Sequence, residues 1–200
     1  MSRSPIIRGS FVPSRRRWLL SLTASAALLT APTAWAQGTP PAVPAELAIE
    51  LPQARLQGNG RLRFLGLRIY DIRLWTGASP VGTQWGTLPL ALELVYARSL
   101  DGAQIAERSL TEMRRQGEPT PAVAERWLAA MKALFPDVRE GDRITGVNMP
   151  GVGARFFHNS VLRGEVRDPE FALVFFGVWL SPRTSEPALR EALLGAGQSR

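Results

Sequence analysis

An uncharged run of ten residues near the C-terminus, FALVFFGVWL from Phe171 to Leu180, constrains the fold more than any other feature of this sequence. Asp168, Pro169 and Glu170 stand directly before it. An N-cap acid, a proline at the first helical position and a second acid in the first turn are typical of a helix start. The run is about half of the roughly 20 apolar residues that a membrane span needs. The sequence therefore predicts a short helix, buried nearly all round against a sheet.

Several other segments carry the apolar alternation of β-strands. The stretch from Arg61 to Trp75 alternates arginine with apolar residues, which predicts one long strand or a strand pair with a bulge near Gly66. LPLALELVYARSL predicts another strand, one side of which carries four large residues: Leu90, Leu92, Leu94 and Tyr96. Further strands are predicted for four short segments: AELAIEL, RITGVNM, ARFFHN and VLRGEV.

Three further helices are predicted from their start and stop residues. DGAQIAERSLTEMRRQG ends at Gly117, and TPAVAERWLAAMKALFPD begins with Thr120 as N-cap and Pro121 at the first helical position. EPALREALLG follows the apolar run and ends at Gly195. Strands, two helices, strands and two helices predict one α+β domain over residues 46–200.

The first 36 residues resemble an export signal. Five arginines and no acid precede the apolar stretch WLLSLTASAALLTAP, and Ala34-Trp35-Ala36 gives the small-residue pattern of a cleavage site. SRRRWLL resembles the twin-arginine motif, although a general secretory signal also begins with arginines. We expect cleavage after Ala36 and a periplasmic mature protein; the alternative is an uncleaved N-terminal anchor. The Pro-rich residues 37–45 are predicted to form a linker.

Composition excludes several classes of function. The full chain has 24 basic and 17 acidic residues, a net charge of +7, but five of the arginines lie within residues 1–36. Removing that segment leaves 19 basic residues against 17 acidic ones, a net charge of +2, which predicts no nucleic-acid partner. The mature sequence has no predicted membrane span, and the absence of cysteine excludes disulfides and thiolate chemistry. The single histidine, His158, predicts no metal site and is interpreted as a hairpin residue, and no motif indicates a cofactor.

Three long segments resemble the bacterial chalcone isomerase-like domain family. They are LQGNGRLRFLGLRIYDIRLW, FPDVREGDRITGVNMPGVGARFFHN and LRGEVRDPEFALVFFGVWLSPRTSEPALREALLG, and their order and spacing cover nearly all of the mature chain. The resemblance implies an open-faced β-sandwich, an antiparallel sheet with a layer of helices on one face and a pocket between them. It also implies one of two functions, because plant relatives cyclise chalcones whereas others bind fatty acids without catalysis.

In the isomerases, an arginine of an early strand stabilises the negative charge of the reacting substrate. The resemblance makes Arg63 and Arg61 the candidates for this role, whether in catalysis or in ligand binding. Strand alternation predicts that both arginines point to one face and that Leu62 and Phe64 point to the other. The alternative is that both arginines face solvent on an edge strand.

The two tyrosines, Tyr70 and Tyr96, each lie on a predicted strand. Their hydroxyls are candidates for hydrogen bonds to a ligand carboxylate or carbonyl, and the alternative is a pair of core tyrosines. Arg98 stands two residues after Tyr96, so it shares that face if the strand continues. Arg98 then completes a Tyr/Arg pair for an anion; otherwise it lies in water.

One departure from the plant isomerases favours binding over catalysis. Matching on Phe64 and Tyr70 places Leu65 where those enzymes carry a threonine that organises a catalytic water, and leucine has no hydrogen-bonding group. We therefore expect an exported protein that binds a small hydrophobic or aromatic anion, such as a fatty acid, in a cleft. The alternatives are an isomerase that cyclises a chalcone-like enone, and an envelope accessory protein without a ligand.

Overall fold

Six strands pair in chain order, each antiparallel to the next, in one sheet. The computed structural model describes residues 41–195, so the predicted signal segment and the start of the predicted linker lie outside the described residues. The strands are β1 (Arg55–Phe64), β2 (Leu67–Thr76), β3 (Leu90–Tyr96), β4 (Arg143–Met149), β5 (Gly153–His158) and β6 (Val161–Val166). Within these residues β1 and β6 are the edges of the sheet.

Five α-helices accompany the sheet within residues 41–195. They are α1 (Leu47–Glu50), α2 (Gly102–Met113), α3 (Pro121–Leu134), α4 (Pro169–Leu180) and α5 (Pro187–Leu194). Helices α2 and α3 lie between β3 and β4 in the chain, and α4 and α5 follow β6. The predicted α+β class, with an antiparallel sheet and a helical layer, is confirmed.

The apolar run forms α4, as its flanking residues predict. The Asp168 carboxylate accepts hydrogen bonds from the backbone N–H groups of Glu170 and Phe171, at 3.0 and 3.1 Å, and so caps the helix. It also accepts a bond of 2.9 Å from the indole Nε1 of Trp127, which ties α3 to the start of α4. Phe171 and Leu180, at the two ends of the run, are fully buried. No helix in the described part of the chain has the length and apolar content needed to cross a membrane.

Different elements pack on the two faces of the sheet. On the inner face, Tyr70, Ile72 and Leu74 join the main hydrophobic core together with the long helices. On the outer face, Leu47 and Leu51 pack in a smaller cluster around Trp75, Ala91, Val147 and Phe157. The predicted strand AELAIEL is therefore wrong: this segment forms α1 and closes part of the outer face. Leu47 and Leu51 are four residues apart, one helical turn, and so short a run does not distinguish helix from strand.

Two buried carboxylates lie at the outer face of the sheet, and one of them, Glu46, fastens the α1 segment to it. Glu46, 6% exposed, accepts a hydrogen bond of 2.6 Å from Thr145 Oγ1. Glu93, 1% exposed on β3, accepts a bond of 2.9 Å from Trp75 Nε1 and lies 3.2 Å from Arg73 Nη1. Each buried carboxylate thus has partners that offset the cost of removing it from water.

The hairpin β1–β2 confirms the predicted strand pair but not the predicted bulge near Gly66. Leu65 and Gly66 form the turn, with φ angles of 49° and 80°, which is the left-handed backbone of a type I′ hairpin. The pairing register shifts at two places, between Leu56 and Gly58 and between Leu62 and Arg63, and at the second of these the extra residue is Ile69 of β2. A shift of this kind interrupts the strict alternation of side chains between the two faces.

Candidate functional site

A cavity of about 310 Å³ lies between the inner face of the sheet and helices α2 and α4. The volume is at the lower end of the range that small-molecule sites occupy. Most of its wall is apolar and includes Leu94, Ile144, Phe156, Ile105, Phe175 and Val178. These side chains come from three strands and two helices, so the cavity exists only once the sheet and the helical layer have packed.

Three aromatic residues form a buried, neutral part of the wall. Trp179 Nε1 donates a hydrogen bond of 2.9 Å to the hydroxyl oxygen of Tyr70, and the ring of Tyr96 meets Tyr70 edge to face at 5.9 Å. Within residues 41–195, the Tyr70 hydroxyl hydrogen has no acceptor of its own. Burial raises the pKa of both tyrosines well above the usual range. Both hydroxyls therefore remain protonated and can donate to a ligand oxygen.

Helix α2 supplies a charged part of the wall around Glu112. Arg108 Nη2 lies 2.6 Å from Glu112 Oε1 as an ion pair without hydrogen-bond alignment. The other carboxylate oxygen accepts a bond of 2.8 Å from Ser185 Oγ and lies 3.1 Å from Arg115 Nε. The guanidinium of Arg108 also lies 5.9 Å from the centre of the Phe64 ring. The charge of Glu112 is thus compensated by two arginines.

Arg63 is the exposed cation of the wall that has no acidic partner in the described residues. Its Nη1 atom lies 3.5 Å from the carbonyl oxygen of Gly66, the outer limit of a hydrogen bond. By contrast, Arg61 Nε lies 2.7 Å from Asp71 Oδ1 in an ion pair between neighbouring strands. The two arginines are therefore in different electrostatic states, although only one residue separates them.

Three of the five residues predicted for the site line the cavity: Arg63, Tyr70 and Tyr96. Arg61 and Arg98 are not in the wall. β3 ends at Tyr96, so Arg98 does not continue that face and is exposed. Arg61 is held by Asp71. Binding by any of the five remains a prediction.

The cavity wall does not separate the arginines of β1 from the apolar residues beside them. Leu62, Arg63 and Phe64 all line the cavity, whereas Arg61 does not. At the register shift beside Arg63 the extra residue is Ile69 of β2, since Leu62 pairs with Tyr70 and Arg63 with Arg68.

The position of Leu65 contradicts its match to the water-organising threonine of the plant isomerases. Leu65 lies in the β1–β2 turn, is 86% exposed and is not part of the cavity wall. A match that places this residue at a water-organising position inside a pocket is therefore wrong. Leu65 does not discriminate between binding and catalysis.

Sequence reasoning missed the polar residues that α2 and α4 contribute. Gln104, Arg108 and Glu112 all line the cavity and are spaced four apart, so they follow one another along a single face of α2. This polar stripe lies beside the buried Ala106, Leu110 and Met113, and its spacing in the sequence indicates a polar face of α2. Trp179 gave no comparable signal, because every residue of α4 from Phe171 to Leu180 is apolar.

His158 lies at the end of β5, next to the β5–β6 turn, as the hairpin interpretation predicts. Its Nε2 atom is 3.7 Å from Asp142 Oδ2, and the residue is not part of the cavity wall. Between residues 41 and 195, the side chains that commonly bind metals form no group of three able to hold an ion.

Comparisons with known proteins concern the family and the fold of this chain. A family model described as chalcone isomerase-like matches residues 78–195, which is more than half of the chain. An uncharacterized protein of Haemophilus influenzae is 28% identical over 143 residues, which cover 71% of this chain and 68% of that protein. The crystal structure of an Arabidopsis thaliana fatty-acid binding protein superposes with a TM-score of 0.56 at 12% identity, over 74% of this chain and 90% of that one. At this identity the last likeness concerns the fold alone.

Proposed function

Since this chain belongs to the chalcone isomerase-like family, we propose that it is an exported protein that binds a hydrophobic anion, such as a fatty acid. Its fold is the chalcone isomerase-like open-faced β-sandwich that the sequence predicted. The observation that carries the proposal is the apolar cavity of about 310 Å³ with Arg63 in its wall. The binding named for the Arabidopsis thaliana protein of the same fold supports the proposal.

Two arginines and two acids line the cavity (Arg63, Arg108, Glu112 and Glu186), and the anionic head group is assigned to the position beside Arg63. Arg108 also lines the cavity, but its charge is shared with Glu112 at 2.6 Å. Arg63 has no such partner in residues 41–195, so its guanidinium can bind a carboxylate without displacing another. With the head group there, an acyl chain packs against Phe156 and Phe175.

The same geometry favours binding over cyclisation of an enone. A cation stabilises a transition state most strongly in a dry site of low dielectric constant. Arg63 and Arg108 are both exposed, whereas the buried Tyr70 and Tyr96 are neutral. Catalysis therefore is not part of the proposed function.

Replacing Arg63 by alanine is expected to weaken binding of a fluorescent fatty acid, such as dansylaminoundecanoic acid, by about 3- to 10-fold. An exposed charge contact contributes roughly 1 kcal/mol, which corresponds to a change in Kd of this size. Arg61→Ala is the matched control, because it removes the same side chain from the same strand outside the cavity. Fluorescence titration at low and high salt measures both variants. Equal Kd values for the two variants would contradict the proposed role of Arg63.

The export proposal has a separate test. When the full chain is produced in a Gram-negative host, the periplasmic fraction is expected to contain a protein whose intact mass begins at Gln37. Replacing Arg15 and Arg16 together by lysine distinguishes the routes, because only twin-arginine export requires that pair, which follows Ser14 and stands two and three residues before Trp18. A protein that retains residues 1–36 in the cytosol would contradict the proposed export.

A further inference from the structure

Three large apolar side chains stand in water at the tip of the β1–β2 hairpin. We refer to Phe64, Leu65, Gly66 and Leu67 as the hairpin tip. Phe64 is 56% exposed, Leu65 86% and Leu67 55%, within four consecutive residues. Single exposed apolar residues are ordinary, but a contiguous cluster is typical of an interaction surface.

Leu65 is also unfavourable for the backbone of this turn. Its φ angle of 49° lies in the left-handed region, where asparagine, aspartate or glycine is the usual choice for the first residue of a type I′ hairpin. The Cβ atom of leucine disfavours the left-handed conformation, and its apolar side chain is unfavourable in water. Neither the turn nor the core gains from leucine here, which indicates a role outside the folded chain.

Positive charge surrounds the hairpin tip. Arg63 and Arg68 face each other across the hairpin next to the tip, and Arg61 lies further along β1. Arg108 lies 5.9 Å from the centre of the Phe64 ring. Two carboxylates oppose these four arginines: Asp71 pairs with Arg61 and Arg68, and Glu112 pairs with Arg108. The apolar tip therefore carries a net positive border.

We propose that the hairpin tip docks on the surface of an anionic lipid bilayer. Apolar side chains enter the boundary between head groups and acyl chains, while nearby arginines bind anionic head groups. A four-residue tip is too small for a stable protein interface, which needs about 800 Å² from each partner. Phe64 belongs both to the tip and to the cavity wall, so docking brings the cavity to the membrane. The docking goes beyond ligand binding, and its test needs no ligand.

Vesicle co-sedimentation tests the docking. The chain from Gln37 onwards is suitable, because the compact unit that carries every described strand and helix begins at Pro41. We expect binding to vesicles of phosphatidylcholine with about 30% phosphatidylglycerol, and at least about fivefold weaker binding to phosphatidylcholine alone. Added salt should weaken the binding to the anionic vesicles. Failure to bind anionic vesicles, or equal binding to both kinds, would overturn the proposal.

Leu65→Asn separates membrane docking from folding and from ligand binding. The variant should bind anionic vesicles about tenfold more weakly, because it removes the most exposed apolar side chain of the tip. Its melting temperature should be equal to or higher than that of the wild type, since asparagine suits the turn. Its Kd for the fatty-acid probe should not change, because Leu65 is not in the cavity wall.

Leu162→Asn is the matched control on the other exposed hairpin. Leu162 is 55% exposed near the β5–β6 turn and does not line the cavity. Vesicle binding of this variant should equal that of the wild type. An equal loss in both variants, or wild-type binding by Leu65→Asn, would overturn the assignment of the hairpin tip as the docking surface.

Discussion

Replacing Leu94 by tryptophan is expected to raise the Kd for a fatty acid by at least about 100-fold, because the indole fills the site. Leu94 is 8% exposed, and its side chain projects from β3 into the cavity. An added ring normally overpacks a core, but here it enters empty volume of about 310 Å³. The free energy of unfolding should therefore stay within about 1 kcal/mol of the wild type.

Fluorescence titration and urea unfolding measure the two effects, and Val95→Trp provides the control. Val95 is the next residue of β3, and its side chain lies on the opposite face of the sheet, outside the cavity wall. That variant should bind the fatty acid as the wild type does. Ile105→Trp narrows the cavity from the side of α2 and should cause the same loss of affinity. Wild-type affinity in correctly folded Leu94→Trp and Ile105→Trp proteins would place the ligand elsewhere.

The second large effect concerns the contact between β1 and α5. A Cβ atom on Gly58 would overlap the backbone carbonyl oxygens of Ala192 and Leu193, at the end of α5. Backbone atoms cannot move aside as a flexible side chain does, so Gly58→Ala should displace the helix. We expect a loss of about 3 kcal/mol in the free energy of unfolding, which lowers the melting temperature by about 10 °C in a domain of this size.

Gly117→Ala is the matched control for the Gly58 substitution. A Cβ on Gly117 would meet nothing within 4 Å, and its backbone does not require glycine. Its unfolding free energy in urea should stay within about 0.5 kcal/mol of the wild type. If Gly58→Ala is as stable as Gly117→Ala, α5 does not pack on β1 as described.

Local signals were sufficient for most of the elements. Asp168 and Pro169 define the start of α4 from sequence alone, since an N-cap and a proline at the first helical position act within one turn. The four large residues of β3 share the inner face because a strand alternates strictly. The strand prediction for the α1 segment was wrong because its apolar spacing suits both a short strand and one helical turn. Only its packing against Trp75 decides between them.

The site was less predictable because it depends on contacts between distant segments. The register shift at Leu62 and Arg63 arises from the pairing with β2, and no residue of β1 indicates it. Arg63 lines the cavity and Arg61 does not, although strand alternation treats the two arginines alike. Similarly, the hydrogen bond from Trp179 to Tyr70 joins residues 109 positions apart. The polar stripe of α2 was visible in the sequence, but only the packed sheet shows which side of it faces a cavity.

Calorimetric titration of the chain from Gln37 with tetradecanoate, and with tetradecan-1-ol as the neutral control, tests the central claim most directly. A hydrophobic anion site predicts one saturable site per chain and a negative heat-capacity change, since apolar surface is buried on binding. The acid should bind more tightly than the alcohol by about 1 kcal/mol, the contribution of an exposed charge contact. No saturable binding of the acid, or equal affinity for acid and alcohol, would contradict the account.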